Sequence, residues 1–360
     1  MILKKAAFLN FRNIESAEIS FSPGVNLLFG NNAQGKTNAL EGIYLCAQGR
    51  SHRTAHEKDY IRQGGEFAKV TVDFADKLRD QQLELRYLKN GRKYCRKNGL
   101  AVRKMSEFIG SFRAVIFCPE YLAIVREGPS ERRAFMDAAL CQLDPVYLSA
   151  LQTYAAALMQ RNKLIALYPA DPKPFEETEE LWAEQMASAG EILSEKRAAY
   201  MEEIAEEVKI LFAEMTSGGE TPRLLYRKPM KKEEYLALMR DNRARELKAG
   251  SSLFGVHKDD IDIELDGMPA RSFASQGQQR SIAVAMKLAE GAVSGRRTGE
   301  EPVFLLDDVL SELDDRRKSF ILSGLKGRQV VITCCDEKDA AKIAGGSVIR
   351  VEKGRYTPVR

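Results

Sequence analysis

The chain of 360 residues has one tryptophan, three histidines and six cysteines, and these scarcities narrow its chemistry. No two cysteines are spaced C-x-x-C. Cys46, Cys95, Cys118, Cys141, Cys334 and Cys335 show no disulfide-like pattern, so a zinc ribbon and a disulfide scaffold are both excluded and the thiols read as reduced. His52 and His56 stand four apart, but without an H-E-x-x-H sequence or a third ligand nearby they do not make a zinc site. No apolar run approaches the ~18 residues of a membrane helix, and residues 1–13 lack the long apolar core of a signal peptide. A cytoplasmic protein with no membrane contact is expected. There is no internal repeat and no low-complexity tract. The net charge of +4 is too small to mark a nucleic-acid binder by bulk charge, so any basic surface must be local.

What is present is more decisive. Gly30-Asn31-Asn32-Ala33-Gln34-Gly35-Lys36-Thr37 is a complete G-x-x-x-x-G-K-[ST] phosphate loop, followed by Asn38. The pattern needs a strand before it and a helix after it, and Val25–Phe29 and residues 39–48 fit these. The glycines let successive backbone N–H groups curl toward the phosphates of a nucleoside triphosphate. Lys36 reaches those phosphates as a point charge, Thr37 offers a hydroxyl to Mg²⁺, and the helix start adds a favourable dipole.

The first third otherwise reads as strands: Ile14–Phe21, Ala68–Phe74, Leu83–Leu88 and Arg92–Lys97. The last two are joined across Asn90-Gly91, with a second turn at Asn98-Gly99, so Leu83–Lys104 is expected to form an antiparallel meander. From Ser130 to Thr216, and again from Lys231 to Lys248, composition and spacing turn helical. Pro145 and the Pro169, Pro172, Pro174 cluster divide this stretch. Its longest helix, Phe175–Met215, would span about 60 Å, and Ser217-Gly218-Gly219 breaks it. After Gly250 strands return at Ile261–Leu265, Val303–Leu306 and Gln329–Thr333, with a helix over Gln276–Ser294. The expected organisation is a phosphate-loop unit in two parts, 1–121 and 250–360, around a helical insertion at 122–249.

Two C-terminal motifs extend the nucleotide chemistry. Val303–Leu306 is an apolar strand ending in Asp307-Asp308, the arrangement by which nucleotide hydrolases place a metal-holding carboxylate beside the phosphates. Asp307 would hold Mg²⁺. Asp308 either orients the attacking water or is an ordinary strand-end carboxylate. Ser275-Gln276-Gly277-Gln278-Gln279 opens a strong helix, and taken alone it is either an anion-binding helix start or a simple N-cap.

The order of these parts resembles the ABC-type ATPase heads of the SMC superfamily, whose L-S-G-G-Q signature here reads Ala274-Ser275-Gln276-Gly277-Gln278; Ser311–Asp314 resembles the family's D-loop. The blocks Leu9–Asn13, Gly49–Arg53, Pro119-Glu120, Arg132–Asp137 and Gly255–Asp260 extend the resemblance to the RecF family over nearly the whole chain. It implies an α/β ABC-type head with an inserted α-helical lobe. It further implies two heads closing head-to-tail on ATP, with Ser275, Gly277 and Gln278, and Gln279 beside them, serving nucleotide bound to the other copy. It implies slow, DNA-stimulated ATP hydrolysis in recombinational and replication-gap repair and SOS induction, with RecR and RecO as partners and a nucleoid location. Two points depart from the wider pattern: no histidine follows Val330–Thr333, leaving Thr333 as the candidate γ-phosphate sensor, and no lid glutamine stands near Pro119-Glu120. Arg12 and Asn13 are either nucleotide contacts or a solvated loop. The alternative assignment is the ATPase subunit of an ABC transporter, which the altered signature, the missing histidine and the helical insertion oppose.

Arg86, Lys89, Arg92, Lys93, Arg96 and Lys97 crowd the meander with no acid among them, and Tyr87 and Tyr94 are interleaved. Alternate residues of a hairpin share a face, so some of these cations either line up against DNA phosphates or form a solvated surface. No base-reading motif is present, so DNA, double- or single-stranded, would be recognised by shape.

Overall fold

A computed structural model describes residues 1–54, 56–216, 218–226, 229–335 and 346–359, and the backbone of Glu312 without its side chain. The chain opens with β1 (Ile2–Phe11), β2 (Ile14–Ser20) and β3 (Val25–Phe29), which runs through the phosphate loop into α1 (Lys36–Gln48). Next come β4 (Phe67–Ala75), β5 (Asp80–Leu88), β6 (Lys93–Lys97), β7 (Leu100–Val102), α2 (Met105–Phe108) and β8 (Ala114–Phe117). The helical stretch holds α3 (Ala123–Arg126), α4 (Pro129–Leu143), α5 (Pro145–Leu167), α6 (Lys173–Thr216), β9 (Pro222–Tyr226), α7 (Lys232–Asp241) and α8 (Arg243–Ala249). The chain returns through β10 (Ile261–Leu265), β11 (Met268–Pro269), α9 (Ala270–Phe273) and α10 (Gln276–Thr298). It ends with β12 (Val303–Asp307), α11 (Asp315–Gly324), β13 (Val330–Cys334), β14 (Ser347–Glu352) and β15 (Arg355–Pro358).

Three sheets result. An antiparallel sheet runs β2-β1-β4-β5-β6-β7, a small one β11-β10-β9, and a mixed sheet β15-β14-β3-β13-β12-β8 in which all but β15 are parallel. The mixed sheet takes β3 and β8 from before the helical stretch and β12 to β15 from after it. Its inner strands read as continuous apolar runs because both faces are covered. Side chains alternate between two cores. Leu27, Phe29, Val115, Phe117, Phe304, Leu306, Val330 and Ile332 face α10 and the lobe, while Leu28, Ala114, Ile116, Val303, Leu305 and Val331 face α1 and the antiparallel sheet. Helix α1 lies between the two sheets and is buried over nearly its whole length, so even Glu41 has no exposed surface.

Helix α6 is a single rod of 44 residues, about 66 Å long. It starts two residues before the expected Phe175, because Pro174 sits in the first turn where its missing N–H costs nothing. Ser217 lies outside the described residues; Gly218 and Gly219 follow with positive φ. Arg197 of α6 ties the lobe to the returning chain, donating to Asp137 Oδ1 (2.8 Å), Asp259 Oδ2 (3.1 Å), Val256 O (2.8 Å) and the Tyr147 hydroxyl (2.9 Å). Arg132 adds a bidentate pair with Asp260. Among the described residues no helix is long and apolar enough to cross a membrane.

Candidate nucleotide site

The phosphate loop leaves the end of β3 and turns on three residues with positive φ: Gly30 (155°), Ala33 (62°) and Gly35 (114°). At Gly30 the need for glycine is absolute, since a Cβ would lie 2.2 Å from Val351 O. The β14–β15 hairpin clasps the loop from outside. Lys353 N donates to Gln34 Oε1 (2.7 Å), Gly354 N to Gln34 O (2.9 Å), and the Tyr356 hydroxyl to Gly35 O (2.9 Å). No sequence signal had attached this hairpin to the site.

Inside the loop the Lys36 ammonium donates to the carbonyls of Gly30 and Asn31. Asn31, Asn32 and Ala33 are exposed on its rim. Asn38 bridges outward, its Nδ2 donating to Asn13 Oδ1 (2.8 Å) while its Oδ1 accepts from Arg53 (3.0 Å). Asn13 in turn donates to Ala33 O (3.0 Å), which fixes the loop from the N-terminal side. Arg12 points elsewhere: its guanidinium and that of Arg53 converge with the Ser51 hydroxyl on buried Glu41. Burial raises the Glu41 pKa, but these donors more than offset it and the carboxyl lies below its ordinary value.

The strand-end acids complete the site. Thr37 Oγ1 and Thr333 Oγ1 both donate to Asp307 Oδ1, at 2.9 and 2.8 Å. Burial lifts the Asp307 pKa, and the two hydroxyls pull against that rise. A hydroxyl and a carboxylate meeting beside a phosphate loop form a hard-oxygen donor set that fits Mg²⁺. Asp308, in a left-handed conformation (φ 53°), turns away from the strand, and its N–H donates to Thr333 Oγ1 (2.9 Å). Thr333, the candidate γ-phosphate sensor, therefore holds both acids. The resulting cavity of about 440 Å³ is lined by Asn13, residues 32–38, Arg53, Asp308, Thr333 and Cys335. Cys335 stands where a switch histidine was sought, with its Sγ 3.6 Å from Lys36 Nζ and donating to Asn32 Oδ1 (2.9 Å).

The signature motif does not line this cavity. Ser275 caps α10 in a capping box: its Oγ accepts from Gln278 N (3.2 Å), and Gln278 Oε1 accepts from Ser275 N. Ser275 and Gln276 are exposed, and Gly277 packs against Arg317. Gln279 departs from the expectation that it works beside them. Its side chain is buried, donating to the carbonyls of Ala270, Arg271 and Ala274 and accepting from Arg126 Nε (2.9 Å). After Asp308, the Ser311 hydroxyl donates to Asp308 O (2.6 Å), and Asp314 caps α11.

The basic meander is split by strand alternation. Lys93 and Lys97 lie on the side of buried Tyr87 and Cys95, where Lys93 donates to Gly49 O and Lys97 to Ser111 Oγ. Arg86 and Arg96 are exposed on the opposite face, Arg86 over the Phe67 ring and Arg96 across from Glu84. Arg92 and Lys89 sit at the turn, with Lys89 paired to Glu66. The six cations thus do not form one face.

The family model for the RecF/RecN/SMC N-terminal domain matches residues 2–356. The chain is 37% identical over 364 residues to the DNA replication and repair protein RecF of Clostridium acetobutylicum, and 35% identical over 367 residues to that of Acetivibrio thermocellus, covering 99% of each chain in both cases. The chain belongs to the RecF family. Its fold superposes on a solved RecF–ATP structure, described as the recombination mediator protein of the RecFOR pathway, with a TM-score of 0.92 at 32% identity, covering 100% of this chain and 98% of that one. An Smc head domain from Pyrococcus furiosus, 18% identical and covered to 96%, shares the fold alone, with a TM-score of 0.57. The match groups the chain with RecF and SMC proteins, and the transporter-subunit alternative is not favoured.

Proposed function

We propose that this protein is an ATP-gated DNA clamp of replication-gap and recombinational repair. Two copies close head-to-tail on ATP and DNA, and slow, DNA-stimulated hydrolysis resets the clamp. Lys36 and the loop N–H groups would bind the phosphates. Thr37 and Asp307 would hold Mg²⁺, which when bound supplies charge neutralisation between the phosphates. Asp308 would orient the attacking water. RecR and RecO are the proposed partners, and recombinase loading and SOS induction the proposed outcome. The names carried by the relatives support this setting.

One observation carries the dimer. The phosphate cavity is lined by Lys36, Thr37 and Asp308 but by no signature residue, while Ser275 and Gln276 stand exposed at the start of another helix. A second copy would supply what the first lacks. Light scattering on wild type and Lys36→Met, with and without ATP and duplex DNA, tests it. Doubling of mass for wild type in ATP, and none for Lys36→Met, is expected. A wild-type monomer that binds ATP yet never doubles, with or without DNA, overturns the clamp.

A further inference from the structure

The signature turn and the loop after Asp308 must both face the partner in the proposed dimer, and one guanidinium ties them together. Arg317, in the first turn of α11, donates from Nε to Ser281 Oγ (2.9 Å) and from Nη2 to Gly277 O (2.8 Å). Its Nη1 pairs with Asp314, whose carboxylate also accepts from Arg317 N (2.9 Å) and so caps α11. All three guanidinium nitrogens are engaged. A Cβ on Gly277 would lie 3.1 Å from Nη2, a tight contact that would ask the guanidinium to shift by a few tenths of an ångström. The placement is locally unfavourable, because a cation in the first turn of two helices opposes both dipoles. What it gains is a rigid link, and positive charge where an arriving anion would be stabilised.

The far side of the turn is also fixed, because buried Gln279 locks it to α9 and to Arg126 of α3. A turn held on both sides has one orientation relative to Ser311–Asp314.

We propose that Arg317 is a positioning residue for the nucleotide site of the partner copy: it sets the signature turn and the Ser311–Asp314 loop in one register, so that both reach the opposite nucleotide together. This rests on the head-to-tail reading. Arg317 does not line the phosphate cavity of its own chain, and its donors are already committed. Its effect should therefore appear only across the dimer.

Mixing variants tests this. Arg317→Met is expected to bind ATP within about twofold of wild type, while DNA-stimulated hydrolysis and ATP-driven dimerisation fall about tenfold or more, because charge-assisted bonds to the turn are lost. Arg317→Lys should recover only part, since one ammonium cannot reproduce three directed bonds. Arg317→Met is then mixed with Lys36→Met, which lacks a working phosphate loop but keeps its own signature turn. Recovery of hydrolysis in the mixture is expected, because the loop of one variant meets the intact turn of the other. A parallel mixture of Ser275→Arg with Lys36→Met calibrates the assay. Recovery there but not with Arg317→Met overturns the inference and leaves the head-to-tail reading standing. Recovery in neither overturns that reading and the inference with it. Wild-type hydrolysis by Arg317→Met alone also overturns it. If Arg317→Met loses ATP binding, Arg317→Gln, which keeps a donor for Gly277 O, is carried through the same mixtures with the same outcomes.

Discussion

Thr333 shows how much one hydroxyl can organise. It donates to Asp307 and accepts from the N–H of Asp308, so both acids depend on it. Thr333→Val keeps the shape and removes both bonds. Asp307 then sits buried with one donor fewer, and its pKa should rise further. Mg²⁺-dependent nucleotide binding should weaken about tenfold, as a titration with a fluorescent ATP analogue at fixed Mg²⁺ would read. Asp308→Asn should instead leave binding intact and slow DNA-stimulated phosphate release about a hundredfold or more, the usual scale for losing a general base; unchanged release would remove Asp308 from the chemistry. The residue scale was also the most legible in sequence, because the phosphate loop and the apolar strand ending in Asp307-Asp308 are local patterns with fixed jobs. The burial of Gln279 was legible in the helical spacing. It falls on the same helical stripe as Ile282, Ala283 and Met286, all buried, so its position already pointed inward.

Among the elements, the β14–β15 hairpin was the least legible. Its residues carry no nucleotide motif, and only the fold brings Val351, Lys353, Gly354 and Tyr356 onto the phosphate loop. Tyr356→Phe removes one bond to Gly35 O and should weaken ATP binding severalfold with little loss of Tm. Gly30→Ala forces a methyl group into Val351 O and should abolish binding altogether, which calorimetry distinguishes from the milder variant. The meander was readable from its Asn-Gly turns, but alternation alone does not say which face turns inward. Buried Tyr87 and Cys95 decide it, and they carry Lys93 and Lys97 with them. If the outer face and the turn meet DNA, reversing Arg92 and Arg96 to Glu should weaken DNA binding and lower its salt slope by about two. Lys93→Met should leave that slope unchanged.

For the whole molecule, acid should be destabilising through two buried histidines. Burial first, aided by nearby cations, lowers the pKa of His52 and His257 to about 4. The Ser252 carbonyl can only accept, so His257 carries its proton on Nε2 and Nδ1 accepts from the Tyr154 hydroxyl (2.6 Å). An unfolded histidine binds a proton near pH 6.5. Between that value and about 4 the unfolded chain holds more protons, so stability is complete above the window and falls as pH drops through it. The slope should approach ~1.4 kcal/mol per pH unit for each histidine. Tm measured from pH 7.5 to 4.5 should decline accordingly, and His257→Gln should flatten the curve; an unaltered slope would acquit His257. The helical lobe was visible in composition and in its prolines, whereas the strand order of the mixed sheet was not, because pairing over such separations leaves no local trace.

That strand order also bears on how the protein is made. β3 lies between β13 and β14, with Val25 beside Val330 and Asn26 beside Ser347, so neither of its edges has a neighbour until some three hundred residues later. As the chain leaves the ribosome, the strand that carries the phosphate loop emerges early and waits through the synthesis of everything between. Throughout that interval it is an unpaired apolar edge, the kind of surface that chaperones cover and that aggregates when they do not. A nascent chain is therefore expected to hold nucleotide only after β13 and β14 have been made and have closed on β3.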